Sequence, residues 1–518
     1  MRRYEKEQLL EMIKGLYALY GKSMVKLREE DYEAALAGLS HCQETAIRIG
    51  QRIEAAEGAG TAAVGYLEQY CESLYQVSRG QAEKPAKGME QCPEEILRRA
   101  EKELKDWPVK KEIVFLPYKA SMWDSLESIW RAAAEDPGWD AYVVPIPYYD
   151  RNCDGTWGEM HYEGKNYPGY VPITLYDKYD IRFRHPDVIF IHNPYDGGNS
   201  VTSVPPEYYS SHLKGNTDLL CYVPYFITMG GIGKHMCLLS ACLHADKIFL
   251  ESERVKAIYV KSFTEVRAGL GEYIKGKAEV LGSPKIDKIF HLGQYGGGRE
   301  GIPQEKKIIL FNSSISGLLK NPEGWLKKLH RVVRIFQAQQ EAALWWRPHP
   351  LLEATINAIQ PGLYEKYREI VLEFTESNMG IYDDSIDMYR AIAVSDAYYG
   401  DRSSVVQLYG LTGKPILLED ILEEAVLPKG AISEDGMTEE KIYEVNGKDN
   451  VKIHEFLLYE RDVPLRSFLS FVSAGPGGGR YEERKRKQAQ CYENSMVCNK
   501  GHTGERIFEY VKNCRREG

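Results

Sequence analysis

The sequence predicts an α/β protein of two Rossmann-like domains behind an all-helical N-terminal extension. Three observations predict it. Residues 1–106 carry only helical apolar periodicity. From Lys111 onward, short apolar runs alternate with helical stretches, the pattern of βαβ units and a parallel sheet. After a Gly-rich linker, Gly293 to Gly301, that alternation begins again.

The bulk properties agree with this class. A chain of 518 residues is long enough for about three domains. Its 43% hydrophobic and 27% charged residues are those of a soluble globular protein. A net charge of -9 argues against a general nucleic-acid binder. The ten cysteines contain no CxxC pair, and Cys237 and Cys242 have no neighbours to complete a zinc site, so reduced thiols in a cytosolic protein are expected. The charged, amphipathic start MRRYEKEQLLEMIKG is not a signal peptide, and no apolar run is long enough to span a bilayer. A cytoplasmic location follows, with any membrane contact peripheral, at the inner face.

Each element has its own signal. In residues 1–106, Leu9, Ile13, Leu16 and Tyr20 share one helical face. Ala46, Ile49 and Ile53 repeat the spacing, as do Val64, Leu67, Cys71 and Leu74, and packing or self-association is the expected role. In residues 107–292, strands are expected at Lys111–Pro117, Ala141–Ile146, Asp187–His192, Asp218–Val223, Lys247–Leu250 and Glu279–Leu281, with a helix at Met122–Asp136. In residues 302–473, strands are expected at Ile308–Phe311, Ala343–Trp346, Ile370–Phe374, Asp396–Tyr399 and Pro415–Leu418, with helices at Pro322–Gln340 and Ile386–Ala393. Residues 480–518 read as a basic tail, with Arg484-Lys-Arg-Lys487 after the Gly-rich break Ala474–Gly479, and a last docking helix over Gly501–Val511. That basic cluster suits a solvated face, and secondarily an anionic lipid or polymer.

Parallel sheets bind ligands beyond the carboxyl ends of their strands. In the second domain those positions hold Arg347 and His349, then Asp383, Asp384 and Asp387, then Asp401, Arg402, Ser403 and Ser404. Ser403 and Ser404 open a helix, whose N-terminus favours an anion such as phosphate. Arg347 and Arg402 offer bidentate donors to phosphate oxygens, and His349 offers a hydrogen bond to a leaving phosphate. In the first domain, His192, Asn193 and Asp196 follow a strand as an acceptor-side or general-base site, whereas His185 precedes it and is expected to be structural. The loop Tyr225–His235 carries Gly230, Gly231 and Gly233 but lacks the GK[ST] ending of a phosphate-binding Walker loop.

Four segments, in order, resemble the CDP-glycerol glycerophosphotransferase family of teichoic-acid polymer synthesis. They are Val280-Leu-Gly-Ser-Pro-Lys-Ile-Asp287, Ile308 to Asn312, Trp346-Arg-Pro-His-Pro350, and Ala393-Val-Ser-Asp-Ala-Tyr-Tyr-Gly-Asp-Arg-Ser-Ser404 followed by Lys414-Pro415. The resemblance spans roughly residues 180 to 420. It implies the two-domain GT-B architecture and transfer of glycerol phosphate from CDP-glycerol to a growing polymer, with release of CMP. It also implies that His349, Asp401, Ser403 and Ser404 contact the donor. The family's Trp-His-Gly motif, with its catalytic base, has no counterpart here. Tyr225–Gly233 stands in its place, which leaves His192 and His235 as candidate bases beside His349. No metal-ligand set is evident and no cofactor is expected, the CDP-linked donor being a substrate. The expected partners are that nucleotide-linked donor and a polymer or glycan acceptor. The alternatives are a sugar-nucleotide glycosyltransferase, with Asp383, Asp384 and Asp387 on sugar hydroxyls, and a non-catalytic nucleotide- or polymer-binding relative.

Overall fold

The computed structural model describes the chain except residues 80–91, 153, 200, 229–230, 296–297, 300, 350–351, 402, 420–457, 460–464, 476–481, 484, 487–495, 498 and 515–518. Arg402, Gly230, Pro350, most of the Gly-rich break and both ends of the basic cluster therefore lie outside the described residues.

Four helices, Arg3–Arg28, Tyr32–Glu57, Ala62–Ser78 and Pro93–Asp106, form the N-terminal bundle. Asp31 and Thr61 cap the second and third, accepting the Ala34 and Val64 amides. The apolar faces read from the sequence bury against one another around Leu9, Leu16, Ile49 and Leu67. Arg3 then pairs with Asp187 and Asp218, and Tyr4 stacks on His185 with ring centroids 4.1 Å apart. These partners precede their strands, so the bundle is fastened to the amino edge of the first sheet, away from the ligand-binding edge.

The first sheet contains β1 (Lys111–Leu116), β2 (Trp139–Val143), β5 (Val188–Ile191), β7 (Leu219–Tyr222), β8 (Lys247–Leu250) and β9 (Ala278–Val280). All pairs are parallel and the order is β2-β1-β5-β7-β8-β9. Between β2 and β5 the chain inserts a small antiparallel sheet of β3 (Tyr148–Arg151) and β4 (Trp157–His161), completed by β6 (Thr202–Ser203), in the order β4-β3-β6. The sequence reading did not contain this sheet.

The second sheet contains β10 (Lys307–Ser313), β11 (Ala342–Pro348), β12 (Gly380–Tyr382), β13 (Ala397–Gly400), β14 (Ile416–Leu418) and β15 (Leu458–Tyr459). Its order, β12-β11-β10-β13-β14-β15, is 3-2-1-4-5-6 in the domain's own count, the order of dinucleotide-binding Rossmann sheets. One expectation is corrected. Ile370–Phe374 is not a strand but lies in the helix Pro361–Glu376, where Tyr367, Ile370 and Phe374 form a buried face at helical spacing and Leu372 points outward. The third strand of the domain is Gly380–Tyr382 instead.

The last helix, Thr503–Asn513, does not form a separate tail unit. Ile507, Phe508 and Val511 enter the core of the first domain, and Phe508 meets Trp139 edge-on. Asp287 receives this helix by accepting the Thr503 and Gly504 amides at 3.0 and 2.8 Å. The chain thus returns from the second domain to close the first. No helix among the described residues is long and apolar enough to cross a membrane.

Candidate functional site

In each sheet the strand order reverses once, between β1 and β5 in the first and between β10 and β13 in the second. A crevice opens at the carboxyl ends of such a pair, because the connections leave to opposite faces. The two carboxyl edges face each other. Asp124, just beyond β1, accepts from Lys285 Nζ at 2.5 Å and from the buried Tyr389 hydroxyl of the second domain at 2.7 Å. This GT-B-like pairing of two Rossmann-like domains places the loops after β1 and β5 opposite those after β10, β11 and β13.

The second-domain loops are built with little tolerance. Gly400 ends β13 at φ +149°, and a Cβ there would lie 2.2 Å from the Asn312 carbonyl oxygen, so glycine is required. That close approach brings Asp401 against Ser314. Asp401 Oδ2 accepts from the Ser314 amide at 2.7 Å and hydroxyl at 3.0 Å, while Oδ1 accepts from Lys328 Nζ at 2.7 Å. Ser314 in turn caps the helix Ile315–Lys320. Asp401 is 3% exposed, so its carboxylate is spent inside the protein. The expectation that Asp401 contacts the donor directly is corrected: it positions the loops that would.

Arg347 needs the same correction. It is buried at the end of β11 and donates to the Asp383 carboxylate at 2.5 Å, to Ser385 Oγ and O at 3.2 and 2.6 Å, and to the Asp387 carbonyl at 3.0 Å. This guanidinium braces the 383–387 loop and is not presented to a phosphate. Burial raises the Asp383 pKa, but Arg347 and hydrogen bonds from Ser385 and Trp345 outweigh it and hold the carboxyl below its usual range. Asp383 is therefore closed to sugar hydroxyls. Asp384 and Asp387 are exposed, and the Asp387 carboxylate accepts the Tyr389 amide at 2.9 Å.

Ser403, Ser404 and His349 stand at the reversal, beyond the ends of β13 and β11. Ser403 has extended backbone before the helix Ser404–Gly410 and makes no capping bond, and its hydroxyl is buried without a partner. Ser404 is exposed beside it. His349 donates its amide to the Ser313 carbonyl at 3.3 Å, which brings the β11 loop over the end of β10 beside the β13 loop. Burial, and then the charge of Lys119, holds its imidazole pKa below the ordinary histidine value, so the ring is neutral at pH 7.

Lys119 belongs to the first domain, three residues past β1, and sequence reading missed it. Pro117-Tyr118-Lys119 also follows a strand, but only the folded chain brings the charge of Lys119 within reach of His349. Its ammonium lies 4.9 Å from the Tyr148 ring centroid. Burial pushes its pKa down, against the pull of Glu163 and Asp150. Ser314 was also missed, since its role appears only when β10 and β13 are adjacent.

The other candidate bases fare differently. His192 is fully buried. Nε2 accepts the Tyr118 amide at 3.2 Å, and Nδ1 lies 3.1 Å from Ser125 Oγ and 3.2 Å from the Met122 carbonyl. Burial pushes its pKa down to about 3. It is a neutral strut for the loop after β1, which removes it as an acceptor-side base. Asn193 is buried and accepts the Tyr195 amide at 3.3 Å, and Asp196 is held by the Ser210 amide and hydroxyl at 2.7 and 2.8 Å. His235 is exposed on the four-residue helix Lys234–Cys237. His185, left-handed at φ 43°, serves the bundle contact.

No protein-family model matches the chain, and neither does any curated protein sequence. Among solved structures, the chain is similar to an S. aureus MnaA–UDP co-structure at 13% identity and a TM-score of 0.45, over 78% of this chain and 96% of that one. It is similar to a variant of the wall teichoic acid polymerase TagF at 12% identity and 0.43, over 87% and 98%. A UDP-N-acetylglucosamine 2-epimerase gives 12% and 0.42, over 79% and 98%.

Proposed function

We propose that the chain transfers glycerol phosphate, or a similar alcohol phosphate, from a CDP-linked donor to a hydroxyl on a polymer or glycan acceptor. One observation carries the reading. Two Rossmann crevices face each other, and the donor-side crevice ends in a helix start whose buried Ser403 hydroxyl has no partner, while the half-buried cation Lys119 of the first domain acts on His349 of the second. A pyrophosphate fits that environment, with N–H groups and Ser403 on one side and the ammonium on the other. Neutral His349 donates a hydrogen bond to the leaving phosphate. Phosphoryl transfer asks mostly for positioning and charge stabilisation, which these groups supply. Arg347, Asp401 and Lys328 keep the loops in place without touching the donor.

The cytidine base and the glycerol unit come from the family resemblance of the four sequence segments. For the sugar-nucleotide alternative, Asp383 is taken by Arg347, and Asp384 and Asp387 are the exposed carboxylates left. A thermal-shift series tests the reading. Ligand at 100 times its Kd adds about 2.7 kcal/mol of stability. CMP, CDP and CDP-glycerol are expected to raise Tm more than UDP or GDP at equal concentration. A preference for UDP or GDP would move the chain to sugar transfer, and no response to any nucleotide would overturn the proposal.

A further inference from the structure

His192 is locked in the core, and of the two first-domain candidate bases only His235 is exposed. The inserted antiparallel sheet supplies a further candidate. His161 ends β4 directly opposite Tyr148 of β3, and the two rings stack with centroids 5.1 Å apart. His161 Nε2 lies 2.8 Å from Asp150 Oδ2, two residues along β3 on the same face. The pair is partly open to solvent, with 34% and 51% of the side chains exposed.

An exposed His–Asp pair on a hairpin is ordinarily only a surface contact. Here the hairpin is clamped to the cleft. Glu163, two residues past His161, accepts from the Tyr148 hydroxyl at 2.6 Å and from the Ala120 amide at 2.7 Å. Tyr148 packs edge-on against Tyr118, and Lys119 sits over its ring. His161 is thus one tyrosine ring from Lys119, whose charge acts on His349.

We infer that His161, oriented by Asp150, binds the acceptor hydroxyl and is its general base. This deepens the proposed transfer reaction and rests on it. Asp150 holds the Nε2–H tautomer, which leaves the Nδ1 lone pair for the acceptor. The acceptor O–H bond breaks and its proton passes to Nδ1. An O–P bond forms to the phosphorus of the transferred glycerol phosphate. The P–O bond to CMP breaks, CMP departs with the electron pair, and His161 returns its proton to solvent. The site takes an alcohol, because an imidazole held by a carboxylate assists loss of a hydroxyl proton. Asp150 is a positioning residue.

The test uses the full chain, CDP-glycerol as donor and glycerol at high concentration as the probe acceptor, with CMP release as the readout. His161→Gln and His161→Ala are expected to keep the CDP-glycerol thermal shift and to lose roughly 100-fold or more in CMP release. Added imidazole should restore part of the His161→Ala rate, which a structural role would not allow. Asp150→Asn should show a smaller loss in kcat at unchanged donor KM. Release undiminished in His161→Gln, or loss in His161→Ala that imidazole does not rescue, overturns the inference alone. Absence of donor binding or of CMP release by the wild type overturns the transferase reading and this inference with it.

Discussion

The Lys328–Asp401 pair separates a structural from a ligand-binding role for the β13 loop, and its energetics can be worked from the structure. Their side chains are 6% and 5% exposed, and Nζ lies 2.7 Å from Oδ1. Replacing Lys328 with Met keeps a linear apolar stem but leaves a buried carboxylate with only the two Ser314 donors. Replacing Asp401 with Asn strands a buried ammonium, which keeps the Glu419 carbonyl as its remaining acceptor. Removing one partner of a buried ion pair costs about 3 to 5 kcal/mol. The surviving hydrogen bonds put each single variant near the low end, about 3 kcal/mol. In the double variant both charges are gone, so its cost should fall short of the sum by about 2 kcal/mol, within the coupling usual for contacting residues. Urea denaturation followed by hydrogen exchange in peptides covering β10 and β13 reads this locally. If Asp401→Asn leaves exchange protection intact while abolishing nucleotide binding, the carboxylate is a donor ligand and the reasoning fails.

Three further outcomes are expected. His192 is neutral when folded, with burial holding its pKa at about 3 against an ordinary 6.5, so the unfolded chain binds the extra proton between these values. The residue's contribution is complete above pH 6.5 and falls by about 4 to 5 kcal/mol as pH drops toward 3; an NMR titration that protonates His192 near pH 6 in the folded protein would refute this. Lys119→Met should raise the His349 pKa toward the ordinary histidine value and weaken CDP-glycerol binding about tenfold, a loss of about 1.4 kcal/mol; an unmoved His349 titration would separate the two residues. Phe508→Ala, which opens a cavity beside Trp139, should destabilise the first domain by about 3 to 5 kcal/mol in denaturant melts; a cost below about 1 kcal/mol would mean that the last helix does not complete that core.

Much of the fold was legible because buried strands of the chain are short apolar runs at regular intervals, and the bundle faces follow helical spacing without interruption. Ile370–Phe374 misled because a β-branched run of that length fits a strand or one side of a helix equally, and the deciding residue, Tyr367, lies outside it. The inserted sheet was hidden by short strands whose side chains, such as Tyr148 against Tyr118, pack on neighbours outside the hairpin. The site was legible by position more than by role. Arg347, His349, Asp401 and Ser403 all stand at strand ends, as the parallel-sheet rule required. Which of them are spent internally depends on Asp383, Ser385, Ser314 and Lys328, and these partners become adjacent only through the 3-2-1-4-5-6 strand order. Lys119 also follows a strand, but in the other domain, and His161 lies on the inserted sheet, where no local pattern marks it.

The most direct measurement is a crystal structure of the protein with CDP-glycerol bound. The account predicts the pyrophosphate between the Ser403–Ser404 helix start and Lys119, with an oxygen within hydrogen-bond distance of Ser403 Oγ and of the His349 ring. A nucleotide seated on any other surface, with Ser403 and His349 untouched, would contradict it.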